Sequence, residues 1–113
     1  MLLAAGDIVE CSSGDSQLTA DIIKRFPAAT VVTLGDNAYP DGGKEDFQCY
    51  EKTWGKFKQR TRPSAGNHDY ATRNAQGYFN YFGSRAGDSD KGYYTYELGS
   101  WSMIALNSNC GYI

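Results

Sequence analysis

Between Leu34 and Gly43 the chain reads LGDNAYPDGG, which sets Asp36, Asn37 and Tyr39 close together directly after the apolar run Ala28-Ala29-Thr30-Val31-Val32-Thr33. A turn accounts for the Gly, Asn and Asp, which tolerate left-handed backbone. It does not call for a phenol three residues after a carboxylate. Two further polar clusters repeat the arrangement: Gly6-Asp7 after Leu2–Ala5, and Gly66-Asn67-His68-Asp69 after Pro63-Ser64-Ala65. Each has Gly immediately before its polar residue, where unusual backbone angles and close approach to a bound group become accessible. Carboxylates, amide carbonyls and phenols are hard oxygen donors, unlike the thiolates of soft-metal sites. Two neighbouring carboxylates repel one another, and desolvation adds to the cost. A divalent or trivalent cation removes both problems.

The elements that must position these groups follow from the apolar pattern. Leu2–Ala5 reads as a short buried strand. Ser12–Ser16 is a polar loop in which Asp15 or Ser16 can cap a helix, and Leu18, Ile22, Ile23 and Phe26 recur at helical spacing over Gln17–Phe26, which Pro27 stops. Thr30–Leu34 is β-branched and continuous, a second buried strand. Strand, helix, strand implies parallel strands joined by a right-handed crossover. Ligands bind outside the carboxyl ends of such strands, so Asp7, Asp36 and Asn67-His68, the last after a short third extended piece, are expected on one edge of one sheet. Phe47, Tyr50 and Trp54 predict a second amphipathic helix, with Asp46 as cap and Gly55 as stop. The basic stretch Lys56–Arg62 reads as a solvated face with Phe57 turned inward. Tyr93–Leu98, Gly99-Ser100 and Trp101–Leu106 predict a β-hairpin whose second, more apolar strand joins the same sheet or its edge.

Size and charge bound the rest. The 113 residues allow one domain at most. Apolar residues at 41% and charged residues at 21% place the chain among globular proteins. A net charge of -2 gives no global recruitment of nucleic acid or an anionic membrane. No apolar run approaches the ~20 residues of a membrane span, and Met1–Ala5 is too short for a signal peptide. Cys11, Cys49 and Cys110 are widely spaced and do not form a zinc motif. Two arrangements stay open: one disulfide with the third cysteine paired outside the chain, as in an exported parent, or three buried thiols. Trp54, Tyr78, Phe79, Tyr81 and Phe82 suit core packing better than sugar stacking. Arg62, Arg73 and Arg85 read as solvated. The chain opens in a strand and stops in a loop, which reads as a fragment.

Gly-Asp near the start, GDNAY at Gly35–Tyr39 and GNHD at Gly66–Asp69 resemble the successive motifs of the calcineurin-like metallophosphoesterases. Tyr39, together with Asp7-Ile8-Val9 where other branches carry Asp-x-His, is similar to the purple acid phosphatase-like branch, and RPSAGNHDY and YFNYFGSRAGDSDKGYYTYELGSW resemble bacterial secreted members. The resemblance runs from Leu3 to Cys110. It implies the N-terminal half of a layered α/β/β/α sandwich, with residues 1–113 a partial phosphoesterase domain that stops before the family's C-terminal His motifs. It implies two metal ions. Asp7 and Tyr39 would bind the first, with iron expected. Asp36 would bridge both. Asn67 would bind the second, iron, zinc or manganese. His68 would face the substrate phosphate. The implied activity is that of an acid phosphatase-like phosphoric ester hydrolase, in which a metal-bound hydroxide attacks phosphorus. The family's further histidines are missing from a sequence with one His, so this chain alone is expected to be inactive. The alternative is a non-catalytic binding or structural module that retains the fold.

Overall fold

The computed structural model describes residues 1–112. Its centre is a three-stranded parallel sheet in the order β1 (Leu2–Ala5), β3 (Thr30–Thr33), β5 (Thr61–Arg62). Leu2 to Ala5 pair with Thr30 to Thr33, and Val31 and Val32 pair with Thr61 and Arg62. The predicted α/β class holds, and the three strands all run toward the three polar clusters. β2 (Val9–Glu10) and β4 (Ala38–Tyr39) form a second parallel pair beyond them, with Val9 opposite Ala38 and Glu10 opposite Tyr39.

Helix α1 (Asp15–Lys24) lies two residues upstream of its expected span. Its cap is Gly14, not Asp15 or Ser16, and the Asp15 N–H donates to Ser13 Oγ at 3.1 Å. The face it buries also differs from the expected one. Ser16, Ala20 and Ile23 are buried, whereas Leu18 and Ile22 are exposed. The small residues let α1 approach the next helical segment closely: Thr53 Oγ1 donates to Ser16 Oγ at 3.3 Å and Trp54 Nε1 to Thr19 Oγ1 at 2.9 Å. Helix α2 (Lys44–Thr53) begins at Gly43, and Asp46 serves its first turn by accepting the Gly43 N–H at 3.1 Å. Gly55 does not end the helical path. Trp54–Arg60 continues as a 3₁₀ segment, with Phe57 buried as expected.

Helix α3 (Gln76–Phe82) completes an aromatic core against α2. Trp54, Tyr78, Phe79 and Phe82 are buried, and Phe47 stacks on Tyr81 at 5.1 Å. A disulfide between Cys11 and Cys49 ties the end of β2 to α2, and Cys110 is free and exposed.

The hairpin of β6 (Tyr94–Leu98) and β7 (Trp101–Ala105) forms, but as a separate two-stranded sheet. The expectation that Trp101–Leu106 joins the central sheet is therefore corrected. Its inner face docks through side chains: the Tyr94 hydroxyl donates to Pro63 O at 2.7 Å, and Arg62 lies over the Tyr96 ring at 4.6 Å. Trp101 and Ile104 remain exposed, so β7 is not the more central strand. Among the described residues no helix is long and apolar enough to cross a membrane.

Candidate metal and phosphate site

The two carboxylates sit at a break in a pair of parallel strands. After Ala5 and Thr33 the regular ladder stops, yet the Asp7, Ile8 and Val9 N–H groups still donate to the carbonyls of Gly35, Asp36 and Asn37 at 3.2, 3.1 and 3.1 Å. Pairing therefore carries through the break into β2 and β4. Asp7 and Asp36 take φ values of 53° and 51° there, left-handed for non-glycine residues. Each such residue costs on the order of 1 kcal/mol and persists only where its surroundings hold it.

Tyr39 closes the group. Its hydroxyl lies 2.5 Å from Asp7 Oδ1 and 3.1 Å from Asp36 Oδ2. One phenolic proton thus faces two carboxylates. Burial, both hydrogen bonds and both negative charges push the phenol well above its ordinary value. In the protein alone Tyr39 stays protonated, and a cation would have to take the place of that proton. Three hard oxygens at such separations suit one hard cation. Among the described residues no three His, Cys, Asp or Glu side chains gather in this way; the third donor here is the phenol.

Gly66 brings the third strand end into the site. A Cβ built on it would lie 2.1 Å from Asp36 Oδ1 and 2.2 Å from Asp36 N. Only glycine lets the two loops approach so closely. Next to it the His68 N–H donates to Asp36 Oδ1 at 2.8 Å. The His68 ring lies against Tyr39, centroids 4.4 Å apart, and its Nδ1 is 2.7 Å from Pro40 O. A carbonyl can only accept, so Nδ1 carries the hydrogen and Nε2 is the nitrogen left for other work. Asn67 is exposed and lines a cleft of about 290 Å³ together with Asp7 and Asp36. The structure thus brings Asp7, Asp36, Tyr39 and Asn67 to one strand-end edge, with His68 beside them against Tyr39.

Two features lie outside the candidate residues named from the sequence. Asp69 is fully buried and accepts the Asn37 N–H at 3.2 Å, Asn37 Nδ2 at 2.9 Å and the Gly66 N–H at 2.8 Å. Asn37 is equally buried and also donates from Nδ2 to Ser64 O at 2.8 Å. Asn37 therefore shapes the loop and does not reach a substrate. The pair latches the loops that present Asp36 and Asn67. Burial raises the Asp69 carboxyl, while the Gly66 and Asn37 donors act in the opposite sense. The second feature is the segment Asn107–Asn109, of which Ser108 and Asn109 line the cleft. Its signal is a polar run directly after an apolar strand, the pattern already seen at Gly6-Asp7.

Comparison of the chain with family models, with curated proteins and with solved structures finds no match.

Proposed function

We propose that this edge holds a hard metal centre and a phosphate ester, and that the chain is a phosphoric ester hydrolase unit of the calcineurin-like, purple acid phosphatase-like kind. The observation that carries the reading is the single phenol shared by Asp7 and Asp36 at 2.5 and 3.1 Å. Turn formation does not need that arrangement, and without a cation it leaves two anions around one proton. Asp7, Asp36 and Tyr39 would hold the first ion, with iron favoured because a phenolate suits a trivalent charge. Asp36 and Asn67 would hold the second, iron, zinc or manganese. When bound, such ions neutralise a phosphate ester and bring the pKa of water down to roughly 7.

The side chains do the remaining work. The His68 N–H fixes Asp36 Oδ1, so the carboxylate keeps one orientation. The His68 ring is held through Nδ1 by Pro40 O, and in its doubly protonated form it would donate from Nε2 to a phosphate oxygen or to the leaving oxygen. The Asp69–Asn37 latch keeps the two loops in register. Ligand supply favours one other reading, a non-catalytic module with this fold: the sequence has one His, and Asp36 and Asn67 are few donors for a second ion.

Ferric iron added to the chain should develop a visible phenolate-to-iron charge-transfer band that Tyr39→Phe abolishes. A band that survives in Tyr39→Phe, or none in the parent chain, would refute the metal assignment. With one His among its donors the chain alone is expected to hydrolyse phosphate esters poorly or not at all; metal-dependent turnover of a chromogenic phosphate ester, lost in Asp36→Asn, would overturn that expectation and exclude the non-catalytic module.

A further inference from the structure

We infer that Ser108, in addition to His68, donates a hydrogen bond to a phosphate oxygen in the cleft, and that Asn107 and Asn109 hold it there. The inference rests on the metal and phosphate reading of the same cleft. A phosphate entering it meets the carboxylates of Asp7 and Asp36, and none of the described residues lining it is Lys or Arg. Phosphate oxygens turned away from a cation therefore need uncharged donors. Among the lining side chains these are Asn67, Ser108 and Asn109. Asn67 would bind the second ion through Oδ1 in this reading, and its Nδ2 would donate on that ion's side of the cleft. Asn109 is committed within the protein, its Nδ2 donating to Ala65 O at 3.1 Å and to Asn107 Oδ1 at 3.0 Å. Ser108 is exposed, and its hydroxyl has no hydrogen-bond partner among the described residues.

The flanking residues form a built support. Asn107 is buried, and its Nδ2 donates to the Tyr70 hydroxyl at 2.9 Å and to Lys91 O at 3.0 Å. Its Oδ1 accepts the Asn109 N–H at 3.0 Å. Ala65 and Tyr70 flank the Gly66–Asp69 loop, so the two asparagines grip that loop on both sides and hold Ser108 in the lining of the cleft that Asp36 also lines. Every amide hydrogen bond of this support serves the backbone or another side chain and leaves the serine hydroxyl as the spare donor.

The test uses the iron-loaded chain and inorganic phosphate, with the shift of the charge-transfer band as the binding signal. A hydrogen bond to a charged group contributes about 1.5–3 kcal/mol, which is about a 10- to 150-fold change in Kd. Ser108→Ala should weaken phosphate by at least about 10-fold while iron affinity and the urea midpoint stay unchanged. Ser108→Thr, which keeps the hydroxyl, should restore most of the affinity. Equal phosphate affinity in Ser108→Ala and the parent, with the band intact in both, would overturn the role of Ser108 alone. Absence of the band in the parent would overturn the metal reading and this inference with it.

Discussion

Gly66→Ala tests the closest approach in the site. The new Cβ would lie 2.1 Å from Asp36 Oδ1, 2.2 Å from Asp36 N and 2.8 Å from Asp36 Cγ. Ordinary contact begins near ~3.5 Å, so the overlap exceeds an ångström and one of the obstructing atoms is backbone. Rotating the Asp36 side chain cannot relieve it. The loops must part, and two hydrogen bonds to carboxylates go with them: the His68 N–H to Asp36 Oδ1 and the Gly66 N–H to Asp69 Oδ2, both at 2.8 Å. Overpacking costs about 1–3 kcal/mol and a lost bond to a charged group about 1.5–3 kcal/mol. Partial relaxation of the exposed side leaves an expected loss of ~3–5 kcal/mol, a large share of the ~5–15 kcal/mol that holds a domain folded. Urea unfolding measures it directly. Gly14→Ser is the control, because a Cβ at Gly14 meets nothing within 4 Å; its change should stay within about 0.5 kcal/mol. If Gly66→Ala unfolds within 0.5 kcal/mol (about one surface substitution) of the parent, the approach of the two loops is not as described and the site geometry falls.

Further outcomes follow from other parts of the molecule. Tyr78 and Tyr50 are fully buried, and their hydroxyls find no partner among the described residues, so Tyr78→Phe should raise stability by about 1 kcal/mol; a thermal midpoint lower than the parent's would contradict this. Opening the Cys11–Cys49 bridge, which spans 38 residues, should cost ~4 kcal/mol by chain entropy, and paired Cys11→Ser, Cys49→Ser substitution read by urea unfolding should show the same loss. Burial holds the Asp69 carboxyl above its ordinary 3.8, so the folded state keeps a proton that the unfolded chain has already released. Its contribution to stability is full below 3.8 and falls as pH rises through the raised folded value. Asp69→Asn should flatten that part of the stability profile while lowering stability overall, because an amide can no longer receive all the Asn37 and Gly66 donors. An unchanged slope would assign the titration to another group.

The order of strands and helices was legible because apolar periodicity is a local property. Leu2–Ala5 and Thr30–Thr33 pair as the sequence suggests, and the three polar clusters reach one edge because parallel strands share a direction. Tyr39 was legible as a partner of Asp36 because both belong to one turn. Which face a helix buries was not legible: Leu18 and Ile22 sit at helical spacing, yet α1 packs through Ser16 and Ala20, since close approach to Thr53 and Trp54 favours small side chains. The place of the hairpin depended on Tyr94 and Tyr96 meeting Pro63 and Arg62, contacts more than thirty residues apart in the chain. The same holds for Asp69 and Asn107, each an ordinary loop residue in the sequence. Their importance comes from burial against donors and acceptors of distant loops. Residue types and local spacing determined which chemistry the edge can support. Only the tertiary structure decided which buried side chains hold that edge together, because unpaired polar groups must find partners wherever the fold brings them.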